Sequence, residues 1–545
     1  MEICYQKNKK VIYSEACPEK KLRALASAPK TKLTTDCCRM AIRYANGELD
    51  QVPQWFNNEF FCIFAPQIHD VMIRNSYCMR IAFLCICIAA TTGVMAQDGE
   101  DEVTAEKLLA TGLPLVSVTT IDGEEPACDY IYPPEGSNGL SIANATKVPG
   151  RVVVVQDADT LYDSGEYVKG SSGMTIKIRG NTSAWEDQKP YKIKLQKKAD
   201  MLCRGDKKYN DKNWVLLHEL PFNLCQEMSR YVCRKVRPEW EPWGQYVNVM
   251  MNDKYRGLYY LSESIERNAD SRIDVDKDHG YIVECDSYWW AEDLYFETYY
   301  TTGSPYLRYT FKYPDSEDVT DEQKAYISSA VSDAERGIHQ GGYANYIDVA
   351  SWASWLLTHD ILGTLDSGGS NMFLTKYDET LGSKIALGPL WDFDTVMKTE
   401  GEWSRLHNSQ WFPFKWDDAD WQFTGAYYNR LREVKDWLFD DMVQWADDFG
   451  KSATATGISQ SLEYHNKLYY EMVHHYPVYT MAEQVSMIKE WFTNRKAFFE
   501  AQAAGVREVE TAETVKTCYD LMGRRVQCPQ SGQLIICGGR KMVWK

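Results

Sequence analysis

The apolar residues of this chain change period once. Between Leu113 and Asp286 they fall in short β-branched or alternating runs: LPLVSVTT (Leu113–Thr120), RVVVVQD (Arg151–Asp157), MTIKIRG (Met174–Gly180), KPYKIKLQ (Lys189–Gln196) and GYIVECD (Gly280–Asp286). Turn residues bound these runs, so they read as strands. In KPYKIKLQ, Tyr191, Ile193 and Leu195 face one side, and Lys192 and Lys194 face the other. Gly244 to Ile265 reads as a hairpin turning at Asn252-Asp253. From Thr320 onward the spacing becomes helical. One helix opens with a capping box at Thr320 and Gln323, and another, long and apolar, runs through SWASWLLTHDILGTL to Asp366. Residues 425–450 and 457–503 read as amphipathic helices. A two-strand insert, from Ser370 to Asp394, interrupts the helical half. Strands first and helices second is an α+β order, not an alternating α/β one.

The ends of the chain read differently. Residues 1–71 show no sustained period. MIRNSYCMRIAFLCICIAATTGVMA (72–96) has a basic start, an apolar core too short to span a bilayer and a small-residue cleavage site, which together make a secretory signal peptide. Its place in the chain makes 1–71 an upstream extension from a misassigned start, with translation beginning at Met72 or Met79. The other reading is a membrane anchor, for which the apolar run is short. Residues 97–112 are acidic and polar and read as a linker, 113–505 as the main domain, and 510–545 as a β-rich appendage.

The net charge of the full 545 residues is −17. Residues 1–96 hold 12 basic and 8 acidic groups, so the mature chain keeps 48 and 69, a net of −21. So acidic a protein is a poor nucleic-acid partner. Eight cysteines remain after residue 96; export permits disulfides, and nothing in the sequence selects a pairing. The 18 Trp and 35 Tyr suit either a large core or a surface that stacks on sugar rings.

The most chemical stretch is ALGPLWDFDTVM (Ala386–Met397). Were it extended, Asp392 and Asp394 would share a face with Phe393 on the other. Two adjacent acids repel unless a cation joins them, so the pair reads either as a solvated turn or as a magnesium site. Upstream, Asp366 is followed five positions later by Asn371, then by the two-strand insert and Asp392. Protein kinases use that order: a base, an amide that holds metal and a metal-binding Asp-Phe. The His-Arg-Asp of those enzymes is absent, and Asp394 stands where they have glycine. A second signal is charge: from Lys177 to Lys212 there are eleven Lys and Arg against five Asp and Glu. Arg179, Lys192 and Lys194 lie on adjacent expected strands, forming either a phosphate site or a solvated basic face. Glu263 either pairs with one of these lysines or caps its strand. No His-Glu-x-x-His or Gly-x-Ser-x-Gly offers a different chemistry.

Taken together, IKIRGNTSAW, KPYKIKLQKKADML, KNWVLLHE, YRGLYYLSESIE, GYIVECD and LGPLWDFD resemble the CotH kinase family, in matching order from about Leu113 to Gln502. The resemblance implies an atypical protein-kinase-like fold. It also implies transfer of phosphate from ATP, with magnesium or manganese, to Ser or Thr of a secreted or surface protein. By position it makes Lys194 the phosphate-binding lysine, supported by Arg179 and Lys192, with Glu263 orienting Lys194 or a metal. Asp366 becomes the catalytic acid/base and Asp392 the metal ligand, with Asn371 and Asp394 auxiliary. Glu284 lines the adenine pocket. The chain departs from the family pattern at TLDSGGSN (Thr364–Asn371), which is richer in Gly and Ser. The tail from Cys518 to Lys545 resembles the C-terminal sorting signals of secreted Bacteroidetes proteins and implies a periplasmic, surface or extracellular location, with no transmembrane segment in the mature chain. The alternative is a catalytically inactive relative serving as a surface or glycan-associated scaffold.

Overall fold

The alternating strands of the front half bury their apolar side by closing into a barrel. In the computed structural model, which describes residues 102–135, 142–218, 223–304, 306–399, 402–414, 421–469 and 478–505 and four short strands after residue 517, the barrel strands are β1 (Leu115–Thr120), β4 (Val148–Gln156), β6 (Met174–Ile178), β7 (Tyr191–Ala199), β8 (Asp211–His218), β9 (Gly244–Met251) and β10 (Lys254–Glu263). The order is β1-β9-β10-β8-β7-β6-β4, and β4 pairs back onto β1. Closure leaves no free edge along the ring. Only the β1–β9 pair within it is parallel. Strand β5 (Asp159–Asp163) adds to β4, while β2 (Cys128–Ile131) and β3 (Ile142–Ala145) form a separate hairpin.

Alternation decides what fills the barrel and what faces out. Val118, Ile176, Ile193, Trp214, Val249 and Leu261 belong to one buried cluster. Lys192 and Lys194, one residue to either side of Ile193, therefore project outward, and Lys177 does the same on β6. The β9–β10 hairpin turns at Asn252 and Asp253, both at positive φ, as its two-residue loop requires.

The expected two-strand insert is instead half of a larger sheet. Strands β14 (Met372–Lys376) and β15 (Ala386–Leu390) join β11 (Tyr281–Asp286), β12 (Tyr295–Phe296) and β13 (Arg308–Tyr313) in the order β12-β13-β11-β14-β15. Pairing of β11 with β14, from Tyr281↔Lys376 to Cys285↔Met372, spans about ninety residues of sequence, which local periodicity cannot reveal.

The helices are α1 (Ala105–Leu109), α2 (Cys225–Val236), α3 (Asp321–Gln340), α4 (Val349–Leu362), α5 (Trp421–Gly450), α6 (Ala453–Leu468) and α7 (Met481–Gly505). Helix α3 has the capping box at Thr320 and Gln323. Helix α4 is buried along its whole length from Ser351 to Leu362, packs against α2 and α5, and ends at Gly363 in the left-handed region, three residues before Asp366. Among the described residues the stretch expected as one helix over 457–503 contains α6 and α7, and Thr480 caps α7 by accepting from the Glu483 N–H. Part of the expected linker is structured: Thr104 caps α1, and Leu108 is fully buried with Leu115 and Met250.

The stretches expected as an upstream extension (1–71) and a signal peptide (72–96), and the first residues of the expected linker, lie outside the described residues. In the tail, β16 (Cys518–Tyr519), β17 (Arg525–Val526), β18 (Leu534–Cys537) and β19 (Arg540–Val543) pair, among the described residues, with one another. Among the described residues Cys128, Cys203, Cys233 and Cys285 are free thiols, and no helix is long and apolar enough to cross a membrane.

Candidate active site

The site grows from the open end of the β14–β15 hairpin. Met372 pairs with Leu390, so Asn371 and Trp391 flank the point where the two strands part. Asn371 donates from Nδ2 to Asp392 Oδ2 at 3.3 Å. Strand β15 stops at Leu390, and Asp392 takes φ +70°, as Asn371 takes φ +56°. Two non-glycine residues in the left-handed region at one spot represent stored backbone strain of the kind that clusters at functional sites. Phe393 is buried, as alternation predicts. The shared side of Asp392 and Asp394 comes from this turn, however, and not from an extended strand.

Asp366 arrives from the end of α4. Its N–H and that of Leu365 donate to Thr395 Oγ1 at 3.1 and 3.3 Å. Met397 N–H donates to Leu362 O at 2.7 Å and Lys398 N–H to Gly363 O at 2.9 Å, so the two loops run side by side. The Gly-rich departure after Asp366 has a local cause: Gly368 sits at φ +87°, and a Cβ there would lie 2.6 Å from Leu406 Cδ2.

The result is a cluster of Asp366, Asp392 and Asp394, each offering one oxygen within 4.8 Å of the others. Burial, then Asp394 and Asp366, push the Asp392 carboxyl up to about 7, against Arg179 and the Asn371 hydrogen bond. Loss of solvation and Asp366 raise Asp394 as well. This is crowded negative charge on hard oxygen donors, and it fits a divalent cation of the magnesium kind, held by Asp392 and Asp394 with Asp366 beside them.

The cluster adjoins a cleft of about 730 Å³ through Asn371 and Trp391, which form part of the cleft wall. The barrel supplies the basic wall. Lys177 and Lys192 are directly opposite one another on β6 and β7, an unfavourable pairing of like charges unless an anion joins them. Burial, then Lys192, lower the Lys177 ammonium. Arg179, just past β6, stacks its guanidinium 5.8 Å from the Trp391 ring centre and makes no ion pair among the described residues. Burial works against its charge, which Asp392 and Glu284 favour. From the second sheet, Glu284 lines the cleft and pairs with Lys312 at 2.9 Å. Burial and then Glu284 push Asp286 up to about 6.

A model of the CotH kinase protein family matches residues 176–499. The chain belongs to the CotH kinase protein family. No curated protein matches it. At the level of the family this makes it a kinase-type protein, and the match runs from β6 to α7, taking in both walls of the cleft and all three aspartates.

Of the residues expected at a CotH kinase site, Asp366, Asp392, Asp394 and Asn371 come together, and Arg179, Lys192, Lys194 and Glu284 line the adjoining cleft. Glu263 does not. It pairs across the sheet with Trp214, whose ring fills the barrel, so it lies on the inner face, while Lys194 is on the outer one. Fully buried, Glu263 accepts from Arg204 at 2.8 Å and from the Trp243 N–H at 3.0 Å. The carboxylate that meets the barrel lysines is Glu266, 3.4 Å from Lys192. A count of strand parity would have separated Glu263 from Lys194, but only with the β8–β10 register known. Sequence reasoning also missed Lys177, Lys312 and Thr395. Lys177 had a signal, lying inside the basic island with Lys192. Lys312 and Thr395 had none.

One buried ion pair supports the hairpin from behind. Arg237, at the end of α2, donates to Glu241 at 2.5 Å, to Leu387 O at 2.7 Å and to Ser351 O at 3.1 Å. Glu241 in turn accepts from the Leu390 N–H at 2.9 Å, two residues before Asp392.

Proposed function

We propose that the chain is an exported kinase that transfers the γ-phosphoryl group of ATP to a Ser or Thr hydroxyl of a secreted or surface protein. The observation that carries this reading is the Asp366–Asp392–Asp394 cluster standing, through Asn371 and Trp391, beside a cleft whose other wall is the cationic face of Lys177, Arg179 and Lys192. A nucleoside triphosphate brings the opposite requirement: a chain of anionic phosphates whose charge is balanced by metal and basic side chains.

In this reading Arg179 offers its planar fork to phosphate oxygens, held in orientation by the Trp391 ring. Lys177 and Lys192 bind the phosphate chain, whose charge relieves their mutual repulsion, and Lys194 extends the contact along β7. Asp392 and Asp394 hold magnesium, with Asn371 fixing the Asp392 carboxylate through its hydrogen bond. Magnesium, when bound, neutralises charge on the transferring phosphoryl group. Asp366 takes the proton of the acceptor hydroxyl as the oxygen attacks. Its fixed position, through the backbone bond to Thr395, keeps it beside the other two acids. Export rests on the sequence of residues 72–96 and of the tail.

The test is label transfer to the full chain and to secreted proteins of the source cell. Transfer from γ-labelled ATP that is magnesium-dependent and falls by about 10³-fold in Asp366→Ala is the expected result. Transfer from α-labelled ATP instead would show nucleotidylation. No transfer, together with no magnesium-dependent thermal shift by ATP, would leave the inactive scaffold.

A second expectation separates the residues near the barrel. Glu263→Gln should cost about 2–3 kcal/mol of stability, less than the usual cost of breaking a buried pair because Asp200 still holds Arg204 at 3.0 Å. It should leave the KM for ATP within about twofold, since Glu263 lies outside the cleft. A several-fold higher KM at unchanged stability would return Glu263 to the nucleotide site.

A further inference from the structure

A second recess of about 520 Å³ adjoins the cleft, and the two share Lys194, Glu266 and Asp315. We infer that this recess binds a phosphate group carried by an already phosphorylated residue of the acceptor protein, so that one modification favours the next. The anion site stands on the geometry alone; that its ligand is an acceptor residue rests on the kinase reading.

The charge balance of the recess argues for a dianion. Its lining includes Lys194, Lys198, Lys212 and Lys277, and none of these ammonium groups makes an ion pair among the described residues. The fifth cation, Arg267, donates to the Val275 carbonyl at 2.7 Å and stacks on Tyr313, without a carboxylate partner. Two of the acids are already spoken for: Asp211 faces Arg272 at 3.6 Å and Glu266 faces Lys192 at 3.4 Å. Asp278, Asp315 and Asp318 remain, and none of them meets a cation within ion-pair distance among the described residues. Five free cations against three free carboxylates leave an excess of two positive charges in one cavity. A phosphomonoester, with about −1.5 to −2 charge and three acceptor oxygens at neutral pH, matches that excess; a single carboxylate does not.

The position of the recess fits a neighbouring residue of the acceptor. Lys192 lies in the cleft, Lys194 on the border and Lys198 in the recess, all on β7. At roughly 3.3 Å per residue, Lys192 and Lys198 are up to about 20 Å apart along the strand. An extended acceptor segment covers the same span in about six residues, so a phosphoresidue a few positions from the reacting hydroxyl reaches the lysines.

The experiment compares binding of a phosphoserine peptide, its unphosphorylated twin and inorganic phosphate to the full chain. The variants are the double substitution Lys198→Glu/Lys212→Glu and, as a control, Lys197→Glu, whose side chain lines neither cavity. The expected result is at least tenfold tighter binding of the phosphopeptide than of its twin, weakened by salt. The double substitution should abolish that preference and Lys197→Glu should keep it, with the ATP-dependent thermal shift unchanged in both. The preference should also survive in Asp392→Asn, which removes a proposed metal ligand and leaves the recess intact. Failure of phosphoryl transfer alone therefore overturns the kinase reading and not the anion site. Equal binding of the two peptides, or equal losses in the Lys197 and Lys198/Lys212 variants, would overturn the inference. So would binding of inorganic phosphate with no gain for the phosphopeptide, which would make the recess a free-ion site.

Discussion

Asp392→Asn should abolish phosphoryl transfer and at the same time stabilise the metal-free protein. The two effects have one cause. Three carboxylates lie within 4.8 Å of one another, and Asp392 is the most strongly perturbed of them. Asparagine preserves the shape and tolerates the left-handed backbone at φ +70°. It removes the charge that a cation needs and that the other acids repel. Transfer should fall by about 10³-fold or more, the loss expected when a principal electrostatic element of a phosphoryl-transfer site is removed. Stability moves the other way. The Asp392 carboxyl is raised to about 7 in the fold, above its unfolded value, so the folded state holds this proton more tightly. The contribution of Asp392 to metal-free stability is then greatest below about pH 4, declines as pH rises toward 7 and is flat beyond. Asparagine does not titrate, so the advantage of Asp392→Asn grows over that window to about 2–3 kcal/mol at pH 8. With excess magnesium the order should reverse, because only the wild type gains the binding term. Urea unfolding in EDTA and in magnesium, at pH 5 and pH 8, reads all of this. If Asp392→Asn is the less stable protein in EDTA at pH 8, the carboxylates do not form the repulsive cluster described.

The second large effect is expected some distance from the chemistry. Arg237→Met should cost about 3–5 kcal/mol, since it leaves Glu241 buried without its partner. Burial pulls the Glu241 carboxyl upward while the guanidinium pulls it down. The 2.5 Å contact with Arg237 and the bond from the Leu390 N–H are those of a carboxylate in an ionised pair. Gly388 is part of the same arrangement: it sits at φ +122° with its α-carbon against the Arg237 guanidinium, where a side chain would collide. The guanidinium thus holds Leu387 and Glu241 holds Leu390, and the segment they fix leads straight into Trp391 and Asp392. Arg237→Met/Glu241→Leu should recover most of the lost stability, because a well-packed apolar pair removes the orphaned charge. It should not recover full transfer, because Leu390 loses its anchor. A double-mutant cycle by urea unfolding, run beside the label assay, separates the two. A cost under about 1 kcal/mol for Arg237→Met would mean that the pair does not brace the hairpin.

Much of the site was legible because its signals are local. Asn371, Asp392 and Asp394 stand at the ends of one hairpin, and the alternation of Lys192 and Lys194 with Ile193 declares an outward basic face. The errors share one character. Glu263 looked close to the lysines because it ends a strand near the basic island, yet the register with Trp214 turns it to the inside of the barrel. The hairpin looked like an insert because its third strand, β11, lies about ninety residues away in sequence. Lys312 gave no signal, since only the β11–β13 pairing brings it to Glu284.

What this sequence determined by itself is therefore what a few consecutive residues can specify: the change from period two to helical period, the capping box at Thr320, the turn at Asn252-Asp253 and the acids around Phe393. Only the tertiary structure decided that the barrel closes, that Arg237 reaches Leu387, and that Lys177 and Arg179 share a cleft with Asn371 and Trp391, the neighbours of Asp392. Propensity and alternation act over a turn or a strand. Charges and strand edges, by contrast, choose partners by distance in space, which for these pairs spans from tens to about two hundred residues along the chain.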